Sequence, residues 1–290
     1  MSHIALVTDS TASLPPEVAA KHGITVVPLQ VVIGSECYEE GVEGGATPET
    51  VAEALREWKP VSTSRPTPAA MLEAYEKAVA DGATEILSIH LARELSGTYE
   101  SAQLAAKKAP VPVMTVDTGQ LGMATGFAVL SAAKVLAEGG SAADAARVAT
   151  ARTASTTSLF YVDTLEYLRR GGRIGAAAAL LGSALAVKPL LKLEDGKVGM
   201  LEKVRTAGRA LSRLEELAVA AAQDRAVDVA VAHLANPDRA QLLADNLGNR
   251  LTGNLGGRDV LVGEVGAVIG AHVGPGMVAV FVAPRPEGLS

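Results

Sequence analysis

The sequence predicts an α/β protein of two domains. The first is a Rossmann-like N-terminal domain, with a mainly parallel sheet and helices on both faces. The second is a C-terminal α/β domain with a mixed, partly antiparallel sheet. Three observations predict this. Short apolar runs alternate with helical patterns from Ile4 to Thr153, the grammar of βαβ units. The chain has 290 residues, more than one compact core holds in most architectures. The pattern then changes near Asp163, and Asp195-Gly196 between two later strand runs marks a hairpin. The expected domains are 1–162 and 163–290.

Taken in order, Ile4-Ala5-Leu6-Val7 reads as a buried strand. The polar cluster Thr8-Asp9-Ser10-Thr11-Ala12-Ser13 follows, before Pro15-Pro16 opens a helix. Polar residues beyond the carboxyl end of a strand are where open α/β sheets bind ligands, although turn and cap chemistry explains Asp9 and Ser13 equally well. Residues 25–33 form a second strand run. Residues 48–58 form a helix with Val51, Ala54, Leu55 and Trp58 on its apolar side, which places Trp58 in the core. The hydroxyl-rich loop Ser62-Ser64 leads to a helix over 69–80, with Thr67 as N-cap and Pro68 in the first turn. Residues 85–92 are a strand, and Ser96-Gly97-Thr98 joins it to a helix, with Ser96 as the N-cap. Free backbone N–H groups at such a join, beside two hydroxyls, suit an anion, while a capped helix without a ligand has the same letters. A strand over 111–117, helices over 123–137 and 142–153 and a strand over 157–162 follow.

Past Asp163 a short helix over 164–169 ends at Gly171-Gly172, before Arg173. The Ala-rich run 175–185 suits a helix packed close to another backbone or lining a narrow apolar tunnel. Strands at 190–194 and 197–205 flank Asp195-Gly196. Thr206 caps a helix to about residue 222. A strand over 227–234, a helix over 238–251, a strand over 259–269 and a last strand over 277–283 complete the chain, with His272 in a Gly-rich turn before the last strand.

Composition narrows the function. Hydrophobic residues make up 48% and aromatics 3%, so the core is Ala, Val and Leu, and stacking platforms for single-stranded nucleic acid are missing. The net charge of −6 and a pI near 5.5, with no long basic run, argue against any nucleic-acid partner. Cys37 is the single cysteine and Met1–Ser10 has no signal pattern, so a cytoplasmic protein is expected. No apolar stretch reaches ~18 residues, so no stable membrane insertion is expected. There is no Walker loop and no Gly-x-Ser-x-Gly elbow, and the five His residues lack metal-ligand spacing. Gly274-Pro275-Gly276 fits the letters of a dinucleotide fingerprint but precedes a strand and contains Pro. Neither a cofactor nor a metal is expected. What remains is a set of hydroxyls, turn amides, arginines and one imidazole: Thr8–Ser10, Ser62–Ser64, Ser96–Thr98, Arg173, Arg205-Thr206 and His272. They suit a small carboxylate or phosphate. Equally, Arg205 reads as a surface residue, Arg173 as a domain-interface ion pair and His272 as a structural histidine.

One ordered series carries a resemblance. It runs Thr8-Asp9-Ser10, Thr63-Ser64-x-Pro66, Leu95-Ser96-Gly97-Thr98-Tyr99-x-Ser101-Ala102, Val116-Asp117-Thr118, Leu165-Glu166-Tyr167-Leu168-Arg169-Arg170-Gly171-Gly172-Arg173-Ile174, Lys188-Pro189-Leu190-Leu191, Gly196-Lys197-Val198 and Gly270-x-His272-x-Gly274-Pro275-Gly276. The chain thereby resembles the DegV family of bacterial fatty-acid-binding proteins (FakB-like). The resemblance implies a long-chain fatty acid, palmitate or a similar chain, held between two domains and presented to a fatty-acid kinase. It implies a ligand site of Thr63, Ser96, Gly97, Arg173 and His272, with Arg205 facing the kinase and no catalytic residue. Arg65 and Thr67 stand where the family usually has Gln and Ser, Val273 where it has Thr, and Thr118 where Ser is common. Two other readings compete: a phosphotransferase or esterase using Ser96 or His272, and a regulatory module that binds a polar small anion.

Overall fold

The computed structural model describes residues 3–180 and 188–286. Its strands are β1 (Ile4–Asp9), β2 (Ile24–Val27), β3 (Gln30–Ile33), β4 (Glu36–Glu39), β5 (Val61–Ser64), β6 (Glu85–His90), β7 (Val113–Asp117), β8 (Thr157–Tyr161), β9 (Lys188–Glu194), β10 (Lys197–Val204), β11 (Val227–His233), β12 (Leu261–Glu264) and β13 (Val278–Pro284). Its helices are α1 (Pro16–Lys21), α2 (Pro48–Arg56), α3 (Pro68–Ala80), α4 (Thr98–Ala106), α5 (Met123–Ala137), α6 (Ala142–Ser155), α7 (Glu166–Arg170), α8 (Ala207–Ala222), α9 (Pro237–Arg250), α10 (Thr252–Leu255) and α11 (Ala267–Val273).

The first sheet has the order β2-β1-β6-β7, and its strands pair in parallel. A parallel sheet hides both faces, so β1 and β6 are nearly continuous apolar runs. Side-chain alternation sorts them. Leu6, Leu87 and Ile89 pack against Ala128, Val129, Ala132 and Ala145 of α5 and α6. Val7 and Ile86 pack against Met71, Tyr75 and Ala102 of α3 and α4. Small alanines let these helices lie close to the sheet. The expected helices on both faces are present.

The second sheet is mixed, in the order β10-β9-β8-β13-β11-β12, antiparallel except between β11 and β12. Leu159, Leu190, Val229, Val231, Val280 and Val282 face α8 and α9. Phe160, Leu191, Leu193, Ala279 and Phe281 face the other way, into a core shared with Ala124, Phe127 and Leu168. Strand β8 belongs to this sheet although it lies before residue 162. A third sheet, β4-β3-β5, is antiparallel and packs on α2 and α11 through Val31, Val51, Leu55, Ala267 and Ala271.

Local signals held where backbone chemistry decides. Asp195 and Gly196 have φ of 50° and 73°, as a type I′ hairpin turn requires. Thr67 and Thr206 cap their helices by accepting the N–H groups of Ala70 and Arg209 at 3.1 and 3.2 Å.

Other expectations need correction. The run 25–33 is two strands in two different sheets, divided at Pro28-Leu29. Ser62–Ser64 is part of strand β5 rather than a loop. Gly97, not Ser96, stands at the N-cap of α4, and no side chain caps it. The expected strand over 259–269 is β12 followed by α11, which makes His272 a helical residue rather than part of a turn. Trp58 is 69% exposed; α2 ends at Arg56 with Glu57 as its C-cap, the Trp58 backbone is left-handed at φ 60°, and its ring stacks beneath Arg170. Of the Ala-rich run, Gly175–Leu180 is a 3-10 helix with Ala177 buried in the shared core, and 181–185 lies outside the described residues.

Candidate functional site

A cavity of about 420 Å³ opens where the carboxyl end of the first sheet meets the inner face of the second. That volume falls within the ~300–1,000 Å³ typical of small-molecule sites. The loops after β1 and β6 contribute Thr11, Leu91, Leu95, Ser96 and Gly97. The second sheet contributes Phe160, Leu193, Ala279 and Phe281, and α11 contributes Val268, Ile269 and His272. Thr63, Ser64 and Arg65 come from the end of β5, and Arg173 from the segment after α7. Most of the wall is apolar. No Asp or Glu is among the described residues that line it.

The polar groups form a circuit, joined partly by hydrogen bonds and partly through adjacent main chain. Thr63 Oγ1 lies 2.8 Å from His272 Nε2, joining residues 209 apart in sequence. Two residues along from Thr63, the Arg65 Nη1 donates to the Gly97 carbonyl at 3.0 Å. Beside Gly97, Ser96 Oγ is 2.9 Å from Thr98 Oγ1. The preceding carbonyl, of Leu95, accepts from Arg173 Nε at 3.0 Å, and Arg173 Nη1 donates to the Gly171 carbonyl at 2.6 Å. Gly171 lies against the His272 ring: a Cβ there would stand 2.1 Å from Nδ1. Gly97 plays the same part for Arg65, whose Nη1 would be 1.8 Å from an added Cβ. Two glycines with ordinary backbone angles thus make room for an imidazole and a guanidinium.

Thr63, Ser96, Gly97, Arg173 and His272 therefore all line one cavity. Arg205 does not; it is exposed in the turn between β10 and α8. Sequence reading placed Arg65 near the site only as a departure from a family pattern. It overlooked Gly171, whose role is visible only once α7 and α11 are side by side. It also overlooked Glu40, a buried carboxyl that accepts the Val268 N–H at 2.8 Å and so fixes the start of the helix carrying His272. Burial pushes the Glu40 carboxyl above the usual carboxylate range.

Burial, with Arg173 second, pushes His272 down to about 4, and its buried Nδ1 has no partner among the described residues. The ring is neutral at pH 7. With its proton on Nε2 it donates to Thr63 Oγ1, which frees the Thr63 hydroxyl proton for a ligand. Positive charge in the cavity comes from Arg65 and Arg173. Ser96 is bonded to a hydroxyl and, among the described residues, to no imidazole.

The depressed value has a consequence for stability. An unfolded histidine takes up a proton near its ordinary 6.5, whereas folded His272 resists down to about 4. The contribution of His272 to the stability of ligand-free protein is therefore expected to be flat above about pH 6.5 and to fall as the pH drops from there towards 4. His233, also lowered by burial, adds to the trend. Melting temperatures of wild type and His272→Gln across this window check the assignment: the variant loses part of the acid sensitivity. Identical slopes would contradict it.

Among the described residues no group of three or more His, Cys, Asp or Glu could hold a metal ion, and no helix is long and apolar enough to cross a membrane.

A family model described as an uncharacterised protein of the DegV family matches residues 3–285. A DegV domain-containing protein of Streptomyces coelicolor is 54% identical over 283 residues, covering 98% of this chain and 99% of its own. Among solved structures, a DegV family protein from Thermus thermophilus described for fatty-acid binding superposes with a TM-score of 0.90 at 33% identity, covering 98% of this chain and all of its own. DegV from Bacillus subtilis, described as a fatty acid binding protein, superposes with a TM-score of 0.88 at 31% identity over the same shares.

Proposed function

The chain belongs to the DegV family, and on that premise we propose that it binds one long-chain fatty acid, such as palmitate, in the cavity between its first and second sheets. The carboxylate meets Thr63 and Ser96, with Gly97, Arg173 and His272 close by, and the tail runs along Phe160, Leu193, Ile269, Ala279 and Phe281. The observation that carries the reading is the circuit of polar groups set in an otherwise apolar cavity. A buried carboxylate without partners would cost several kcal/mol. Hydrogen bonds to a charged group return ~1.5–3 kcal/mol each. About fourteen buried methylenes contribute on the order of 10 kcal/mol before entropy losses. A fluorescent fatty acid titrated into delipidated protein tests this, with palmitate and inorganic phosphate as competitors. Displacement by palmitate alone supports the lipid reading. Displacement by phosphate alone would favour a polar-anion module.

Arg65 supplies the charge that a neutral His272 does not. Its replacement, Arg65→Gln, is expected to weaken fatty-acid binding about threefold to tenfold at low salt, and less at high salt, because the guanidinium is exposed. Equal affinity for both proteins at low salt would remove Arg65 from the site.

The wider role proposed is a cytoplasmic carrier that offers the carboxylate to a fatty-acid kinase, with no chemistry of its own. Arg205, exposed and outside the cavity, is the proposed kinase contact. Arg205→Ala should leave fatty-acid affinity unchanged and slow acyl phosphorylation by a cognate kinase. Full phosphorylation of the variant would refute that contact.

A further inference from the structure

Beneath the cavity lies a buried hydrogen-bond chain that the ligand site does not use directly. Tyr75 of α3 donates to Ser88 Oγ at 2.8 Å, and Ser88 Oγ is 2.7 Å from His90 Nε2. His90 Nδ1 is 2.9 Å from Asp9 Oδ2. All four side chains are 0% exposed. A His90 ring with its one proton on Nδ1 donates to Asp9 and accepts from Ser88, so that the donors run one way, from Tyr75 to Asp9. Ser, His and Asp in this order match a hydrolytic triad in type. Yet Ser88 and His90 do not line the ligand cavity, and the Ser88 oxygen already has Tyr75 as a partner.

The far end of the chain is more telling. Asp9 Oδ1 accepts from Thr11 N at 3.1 Å and Thr11 Oγ1 at 2.6 Å. Asp9 Oδ2 accepts from Leu91 N at 3.1 Å as well as from His90. Thr11 and Leu91 both line the cavity, one in the loop after β1 and the other at the start of the loop that carries Ser96 and Gly97. One carboxylate therefore clamps together the two strand-end loops on which the head-group site is built.

We propose that Asp9 is a positioning residue for the ligand site, oriented by His90, with Ser88 and Tyr75 as its outer support. This rests on the fatty-acid reading. In Asp9→Asn, whichever way the amide is turned, a backbone N–H of Thr11 or Leu91 loses its acceptor. In His90→Asn, the side-chain amide nitrogen can stand where Nδ1 stands and keep the bond to Asp9. His90→Phe removes that bond.

The test is fatty-acid titration alongside melting temperature on delipidated protein. Asp9→Asn and His90→Phe should each bind about tenfold more weakly or worse. His90→Asn should bind within about threefold of wild type, and so should Tyr75→Phe despite a lowered melting temperature. Wild-type affinity in both Asp9→Asn and His90→Phe overturns the proposal. So does affinity that falls in step with melting temperature through all four variants, which is the mark of a purely structural role. If Asp9→Asn does not fold, the two His90 variants decide. A wild-type protein that binds no fatty acid instead overturns the parent reading, and this inference with it.

Discussion

Thr63→Ala combined with Ser96→Ala is expected to release the fatty acid during purification and to weaken its rebinding on the order of a hundredfold or more, with the fold intact. Each hydroxyl is a donor to a charged group, worth ~1.5–3 kcal/mol, and the two share one carboxylate, so their losses need not add simply. Thr63 has a second effect. Its hydroxyl is the partner of His272 Nε2, so removing it leaves both nitrogens of a half-buried ring without a partner among the described residues. The single variant Thr63→Ala should therefore cost more affinity than Ser96→Ala, whose hydroxyl is bonded, among the described residues, to Thr98. Equilibrium titration of the three variants against wild type gives the order. An unchanged affinity in the double variant would remove these hydroxyls from the site.

Gly171→Ala is expected to have an effect as large by a different route. The Gly171 backbone has φ of −73°, so alanine fits the chain itself. The added methyl would lie 2.1 Å from His272 Nδ1 and 2.8 Å from Cε1, both in a half-buried ring. The imidazole must swing away from Thr63, and overpacking of this kind costs ~1–3 kcal/mol. A lowered melting temperature with loss of fatty-acid binding is the expected result. Gly172→Ala is the contrast: φ there is +70° and no atom lies within 4 Å of its Cβ. It should lower stability through backbone strain while sparing the ligand. Wild-type binding by Gly171→Ala would mean that the position of the His272 ring does not matter.

The sequence is most legible where structure is local. Helix α5 spans Met123–Ala137, as its apolar spacing requires, and the Asp195-Gly196 hairpin and the Thr67 and Thr206 caps follow from backbone chemistry. Errors arise where a short apolar run fits either strand or helix. The run over 259–269 divides at Val265-Gly266, and its second half winds into α11 because Glu40 takes the Val268 N–H from a distant strand end. The third sheet is hidden for a similar reason: β2 and β3 are nearly continuous in sequence yet pair with different partners.

The site residues themselves are legible as types, since hydroxyls, glycines and arginines cluster in short stretches of the sequence. Their assembly is not. The Thr63–His272 contact spans 209 residues, and Asp9 reaches His90 across 81. A lone Asp after a strand carries no sign of whether it caps a turn or clamps two loops. Trp58 shows the opposite failure: helical spacing suggests burial, but the helix ends at Arg56, two residues before it, and the ring turns outward.

The central claim is that the cavity holds a fatty acid. Mass spectrometry of an organic extract from freshly purified, denatured protein tests it most directly, with the Thr63→Ala and Ser96→Ala double variant prepared in parallel. The account predicts close to one long-chain fatty acid per wild-type chain and far less in the variant. A wild-type extract free of fatty acid, from protein whose melting temperature does not rise when palmitate is added back, would contradict it.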